Sequence, residues 1–238
     1  MAKAYQDYVF KDGTLIGEFD KMYQESEEIP WKQDKTAHSL AVDFDLNILK
    51  KYLRNKDISI LDNGCGIGYV TDRLKRELNI SDMSGCDISE NAIAKAAKRY
   101  PEINFFVKDM LGKPDQDNKK YDLIYMKDIL WYVVDDLEIF MRNILSMLKS
   151  GGMIYAMQSF PDAEEYYGKN EFPKPESILN YYERDFDFKY KSIIKENYNA
   201  PDSSRVENDY RHEFYIRFLG MRSDGKLTLA QRNKNDQI

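Results

Sequence analysis

The 238-residue chain predicts a doubly wound α/β domain: a parallel sheet with right-handed crossovers and helices on both faces. Three observations carry this expectation. Short β-prone runs alternate with stretches of helical periodicity between residues 58 and 158. The first run breaks into its helix over a glycine-lined turn. Aspartates close three successive strands, on the carboxyl edge where open α/β sheets bind ligands.

Taken in order, the first strand is Ile58-Ser59-Ile60-Leu61, ending at Asp62. Asn63-Gly64-Cys65-Gly66-Ile67-Gly68 follows, and then Val70, Leu74 and Leu78 at i, i+4 and i+8, which reads as a helix. Glycine brings bare backbone close to a ligand because no Cβ stands in the way, and a helix start offers unpaired N–H groups. This is the pattern of a nucleotide-type cofactor site. A dinucleotide site would read G-x-G-x-x-G, yet here Tyr69 stands where that fingerprint requires glycine. Asp62 would also oppose a pyrophosphate, whereas it suits a cationic amine.

The second strand, Met83 to Asp87, places Asp87 nineteen residues past Gly68, where an acidic side chain can accept both hydroxyls of a ribose. After Ile88, Ser89 caps a helix from Glu90 to Arg99. The third strand, Ile103 to Val107, ends in Lys108-Asp109-Met110. Any one of these aspartates could be a plain cap or turn residue. Three at successive strand ends are poorly explained that way. A fourth strand, Tyr121 to Met126, leads into Lys127-Asp128. Leu137, Phe140, Met141, Ile144 and Leu148 then space a helix, which Lys149-Ser150-Gly151-Gly152 closes before a fifth strand, Met153 to Gln158.

The string Asp62-x-Gly64-Cys65-Gly66-x-Gly68 resembles motif I of the class I S-adenosylmethionine (SAM) methyltransferases, and Tyr121-Asp122-Leu123-Ile124 resembles their motif IV. The resemblance covers roughly residues 40 to 160. It implies a Rossmann-like doubly wound sheet of seven strands, mostly parallel with an antiparallel last strand, and SAM as cofactor. By the same resemblance Asp62, Asn63, Gly64, Gly66 and Gly68 lie under the ribose and methionine of SAM. Asp87 and Ile88 attend the ribose, Asp109 and Met110 the adenine, and Lys127 follows the fourth strand at the same edge. An N-terminal cover, residues 1–38, would bring Tyr23 and Trp31 to the sulfonium. Apolar Ile16, Phe19, Met22 and Tyr23 fit a short helix there, and Pro30 ends any helix beyond it; the alternative is a surface helix whose aromatics fill core.

Residues 39–160 are then the SAM-binding core and 161–223 the acceptor side. The latter holds a helix at about Glu176 to Arg184 and two strand-like runs, Phe188 to Tyr198 and His212 to Met221, separated by a polar loop at Pro201-Asp202-Ser203-Ser204. Residues 224–238 form a polar tail. The expected reaction is methyl transfer to O or N of a small polar acceptor, a sugar or a surface-polysaccharide or natural-product precursor among them. An oxygen of high pKa needs a base, while an amine needs only to be neutral and desolvated. The base candidates are His212, His38 and Asp128; many members of the family carry a histidine where this chain has Tyr132, so no histidine carries over. Trp131, Tyr132, Tyr166 and Tyr167 would line the acceptor or merely fill space. The rival readings are an NAD(P)-dependent oxidoreductase and a SAM-binding protein without turnover.

Composition sets the outer limits. With 42% apolar residues the chain suits one domain with an ample core. Its net charge, 35 − 41 = −6, opposes nucleic-acid binding, which draws on phosphate neutralisation. There is no run of about eighteen apolar residues and no signal-peptide pattern, so no membrane is expected and the location is read as cytoplasmic. Cys65 and Cys86 lack metal-ligand spacing and read as free thiols, so no metal is expected. The abundance of Lys, Asn, Ile and Tyr suggests a bacterial source, and the chain is expected as a monomer or homodimer.

Overall fold

Strands whose residues are apolar on both faces need cover on both faces, and the chain provides it. The computed structural model describes residues 4–54, 57–113, 119–161, 163–195 and 212–223. The chain opens with a one-turn helix, Tyr5–Tyr8, and a small hairpin of β1 (Phe10–Lys11) and β2 (Thr14–Leu15). Asp12 and Gly13 turn this hairpin with both φ values positive, the two-residue geometry that matches strand twist. Next come α1 (Phe19–Glu25), a one-turn helix at Pro30–Lys32, α2 (Gln33–Thr36) and α3 (Leu40–Tyr52). The core then alternates: β3 (Ser59–Asn63), α4 (Tyr69–Leu78), β4 (Asp82–Asp87), α5 (Glu90–Arg99), β5 (Asn104–Val107), β6 (Tyr121–Lys127), α6 (Leu137–Met147) and β7 (Leu148–Pro161). It closes with α7 (Pro175–Tyr182), β8 (Phe186–Lys195) and β9 (His212–Arg222).

The seven long strands form one sheet in the order β5-β4-β3-β6-β7-β9-β8. β3 to β7 pair in parallel, and β9 lies antiparallel between β7 and β8. The chain winds outward from β3 to β5 and then returns to place β6 on the other side of β3. That reversal opens a crevice beyond the carboxyl ends of β3 and β6.

Packing follows the alternation. On one face Val42, Leu46 and Leu49 of α3 and Leu74 and Leu78 of α4 close over Ile60, Leu123 and Tyr155. On the other, Phe140, Met141 and Ile144 of α6 and Ile178 and Tyr182 of α7 close over Ile124, Ile154 and Phe218. A third cluster joins Tyr8, Met22 and Tyr23 of the N-terminal segment to Ile67 and Ala92 of the core. Among the described residues no helix is long and apolar enough to cross a membrane.

The boundary between α6 and β7 differs from expectation. Leu148 belongs to β7 rather than α6, because it turns extended to pair with Tyr121. The stop Lys149 to Gly152 is then absorbed as an irregular stretch before pairing resumes at Leu123 and Met153. Helix α3 carries its own signals, a Ser39 cap accepting from the Val42 N–H at 3.4 Å and apolar residues at 42, 46 and 49, but the sequence reading assigned it no element. The expected loop at Pro201 to Ser204 and the tail 224–238 lie outside the described residues, as do residues 196–198 of the expected eighth strand.

Candidate active site

The crevice at the β3/β6 reversal deepens into a cavity of about 640 Å³. Its floor is the strand-end carboxylates, and its roof is the N-terminal segment. Asp62 ends up 3% exposed and accepts from the Thr71 hydroxyl at 2.6 Å. Burial pushes its carboxyl up to about 7; the nearby Asp87 charge adds to this, and Thr71 and Lys127 only partly offset it. A carboxyl raised by burial in this way, beside a cavity, is suited to pairing with a cation. Asn63, also buried on the cavity wall, accepts from the Cys86 thiol at 3.4 Å, while its amide nitrogen has no hydrogen-bond partner. Cys65 and Cys86 are both free and buried.

The glycines of the turn have three different tasks. All three adopt positive φ (79°, 53° and 84°), a region open to glycine without strain. Gly64 lines the cavity. Gly66 donates its N–H to Asp87 at 2.9 Å, and a Cβ on it would sit 2.3 Å from the Gln33 amide. Gly68 starts α4 and faces Phe105 and Tyr100. Gly66 and Gly68 stand behind Gly64 in the turn and do not line the cavity.

Asp87 accepts from Gly66 through one oxygen and from the Ser89 N–H through the other, at 3.0 Å. Burial raises its pKa, and these backbone bonds restrain the rise. Beside it Ile88 leaves an apolar side chain 49% exposed on the cavity wall. Asp109 and Met110 follow β5 on the same wall, with Asp109 accepting from the Leu111 N–H at 2.8 Å.

The roof is tied to the floor by residues that the sequence reading missed. Gln33 accepts from the Ile67 N–H at 3.0 Å and donates to the Tyr23 hydroxyl at 2.7 Å, so its amide fastens the segment to the glycine turn. Asp20 receives the Ser89 hydroxyl and the Asn91 amide, which clamps α1 onto the start of α5. Trp31 and Lys32 sit at positive φ (51° and 47°), a strained turn that swings the indole inward. There Trp31 meets Tyr5, Tyr23 and Tyr132 at ring-centroid distances of 5.6, 6.2 and 6.0 Å. Tyr23, Trp31 and Tyr132 all line the cavity.

The expected bases fare differently. His38 is exposed in the turn before α3 and does not line the cavity, which corrects its expected place facing the acceptor. Asp128 does line it, but as a committed anion. Burial opposes its charge, yet Lys127 at 2.5 Å and the Ser159 hydroxyl and N–H at 2.6 and 2.8 Å outweigh that and hold its pKa at about 2. A carboxylate so stabilised takes up a proton poorly, which weighs against Asp128 as the base. His212 begins β9 in register with Pro161, and its side chain lies outside the described residues.

Of the four aromatics expected either to line the acceptor or to fill space, Tyr132 lines the cavity and Trp131, Tyr166 and Tyr167 do not. Trp131 donates to the Ser159 carbonyl at 2.9 Å and packs edge-on against Phe160, Tyr166 and Phe172. Tyr166 bonds the Phe172 carbonyl, and Tyr167 bonds Asp135. These rings fill the space between β7 and its following loop.

Residues 60–152 match the family model described as a methyltransferase domain. Over 124 residues the chain is 30% identical to a malonyl-[acyl-carrier protein] O-methyltransferase of Bacillus anthracis, covering 51% of this chain and 44% of that one. Over 94 residues it is 33% identical to a trans-aconitate 2-methyltransferase of Agrobacterium fabrum, covering 39% and 35%. The chain thus aligns with less than half the length of these curated relatives. In fold it resembles the magnesium protoporphyrin IX methyltransferase of Synechocystis crystallised with bound SAH, at a TM-score of 0.57 and 16% identity, over 85% of this chain and 92% of that one. TehB from Haemophilus influenzae matches at a TM-score of 0.60 and 17% identity, over 80% and 65%.

Proposed function

We propose, from the match of residues 60–152 to the methyltransferase-domain family model, that the chain is a class I SAM-dependent methyltransferase and transfers the methyl group of SAM to a small polar acceptor, at oxygen. The observation that carries this reading is the carboxylate floor of the cavity, above all buried Asp62 with its pKa raised to about 7. A pyrophosphate would meet that floor with repulsion. SAM brings an ammonium for Asp62, ribose hydroxyls for Asp87 and an adenine for the Ile88, Asp109 and Met110 wall. The unpartnered Asn63 amide nitrogen offers a donor at the same place. The cavity volume also falls within the range of about 300–1,000 Å³ typical of small-molecule sites.

When bound, SAM supplies an electrophilic methyl group and a sulfur that leaves without its charge. The protein's own part is to hold the reactants in line and to exclude water. Gln33 and Asp20 keep the aromatic roof in place. Tyr23, Trp31 and Tyr132 line the cavity, where an aromatic ring can attract a cation by about 0.5–2 kcal/mol. By their names the two relatives act on malonyl-[acyl-carrier protein] and trans-aconitate, neither of them a sugar, which favours an acid-bearing acceptor.

S-adenosylhomocysteine should raise the melting temperature of the full chain through its preference for the native state, and NADH at equal concentration should leave it unmoved. The reverse pattern would remove the methyltransferase reading.

Asp62 gives a second expectation with a definite sign. The ammonium requires the ionised carboxylate, whereas in the free protein Asp62 is half protonated near pH 7. Below that pH, binding must expel a proton. The dissociation constant of S-adenosylhomocysteine should therefore rise by about tenfold per unit as pH falls below 7, and level off above it. Calorimetry in buffers of different ionisation enthalpy would register the released proton. A flat profile, or one that survives in Asp62→Asn, would take Asp62 away from the ammonium.

A further inference from the structure

Thr71 is 0% exposed in the first turn of α4, spaced with Leu74 and Leu78 at i, i+3 and i+7 along the buried face. That pattern calls for an apolar residue, and valine would fill the same volume. A buried hydroxyl costs stability unless it is bonded. Within a helix a threonine hydroxyl ordinarily bonds the carbonyl three or four residues back. Here it reaches out of the helix instead and donates to Asp62 Oδ2, at the end of β3, at 2.6 Å. Thr71 does not line the cavity, whereas Asp62 does. Whatever Thr71 does to a ligand, it does through that carboxylate.

Asp62 has need of such a partner. The last torsion of an aspartate is broad and roughly two-fold, so a carboxylate without a fixed donor is held in no single orientation. The Thr71 bond takes up Oδ2, and among the described residues no other donor bonds the Asp62 side chain. Oδ1 is left for a ligand. The charged groups acting on Asp62 are Asp87, at the end of β4, and Lys127, at the end of β6 and paired with Asp128. The thiols of Cys65 and Cys86 and the phenol of Tyr125 also face it, and burial pushes all three up, so they stay neutral. Lys108 lines the same cavity and acts on Cys86.

We infer that Thr71 is a positioning residue for the cofactor: its hydroxyl fixes the Asp62 carboxylate in the orientation that receives the ammonium of SAM. The inference rests on the SAM-dependent reading above and deepens it. The same bond favours the ionised carboxylate over the acid, against the burial that raises it. Loss of the donor therefore lifts Asp62 further, and a proton competes with the ammonium up to a higher pH.

Calorimetry on the full chain tests this with two ligands. S-adenosylhomocysteine carries the ammonium; 5′-methylthioadenosine keeps the adenine, ribose and thioether without it. Thr71→Val preserves the shape and removes the donor, and Thr71→Ser keeps the donor. At neutral pH Thr71→Val should weaken S-adenosylhomocysteine binding by about tenfold or more. The pH below which its dissociation constant climbs should move up by about one unit. Binding of 5′-methylthioadenosine should be unmoved at every pH, and Thr71→Ser should keep the parent's profile. If Thr71 only supports the fold, both ligands weaken together and the climb begins at the parent's pH, a result that overturns the inference. So does unchanged S-adenosylhomocysteine binding in Thr71→Val, or a serine variant that loses as much as the valine one. Each of these leaves the cofactor reading intact, whereas a parent chain that binds no S-adenosylhomocysteine removes both. Should Thr71→Val fail to fold, Thr71→Ala also lacks the donor and is read in its place.

Discussion

An Arg217→Met variant should unfold roughly 6–20 °C below the parent chain, the largest effect expected of any single replacement away from the cavity. Arg217 is 2% exposed, and its Nε donates to Asp45, itself 0% exposed, at 2.9 Å. The hydroxyls of Tyr125 and Tyr155 donate to the same carboxylate at 2.8 Å each, and the guanidinium lies over the rings of Phe44 and Tyr215. Burial raises the Asp45 pKa, while Arg217 and the two tyrosines pull against that rise. Removing only the cation strands a buried carboxylate, a loss of about 3–5 kcal/mol. A domain of this size shifts by about 2–4 °C per kcal/mol. Replacing both partners, as Asp45→Asn with Arg217→Met, keeps an acceptor for the tyrosines and should recover most of the loss. Scanning calorimetry on the single and double variants decides the matter, and equal melting points for the single variant and parent would show that the pair is dispensable.

The second large effect belongs to Asp87. A carboxylate accepting from ribose hydroxyls makes charge-assisted bonds worth roughly 1.5–3 kcal/mol, so Asp87→Ala should weaken S-adenosylhomocysteine binding by about ten- to a hundred-fold. The structure adds a consequence that an open, solvent-facing carboxylate would not have. Asp87 also accepts from the amides of Gly66 and Ser89. Its loss leaves two donors short of a partner and should cost the free protein about 1–3 kcal/mol. Asp87→Asn keeps an acceptor for one of the two amides and turns its NH2 toward the other, so stability should return only in part while affinity stays low. An affinity unchanged in both variants would return Asp87 to the role of turn and cap residue.

How much of this was legible in the chain depends on how local the cause is. The strand–turn–helix at residues 58–78 was readable because its signals lie side by side: a β-prone run, an aspartate, three glycines that must take positive φ, and a helical apolar spacing. The capped helix at Glu90–Arg99 has the bounds read from sequence for the same reason, since Ser89 and its Ala92 partner are three residues apart. The Asp12-Gly13 hairpin was equally local and was overlooked. Aromatic residues were harder. Trp131 and Tyr132 are neighbours, yet one packs among Phe160, Tyr166 and Phe172 while the other reaches the cavity. Composition is the same for filler and wall; only the direction of each side chain differs, and a one-turn helix sets that.

By itself, then, the sequence determined the order of strands and helices, the glycine turn and the row of aspartates at the carboxyl edge, because each follows from backbone preferences over a few residues. Tertiary structure decided what those groups meet. Gln33 reaches the Ile67 amide across 34 residues, and Arg217 reaches Asp45 across 172. Neither partner leaves a mark in its own neighbourhood of sequence. Burial lifted Asp62 toward neutrality, Lys127 and Ser159 held Asp128 as an anion against its burial, and His38 was left in solvent. A side chain's charge state and its access to a cavity depend on everything folded around it, and spacing along the chain does not carry that information.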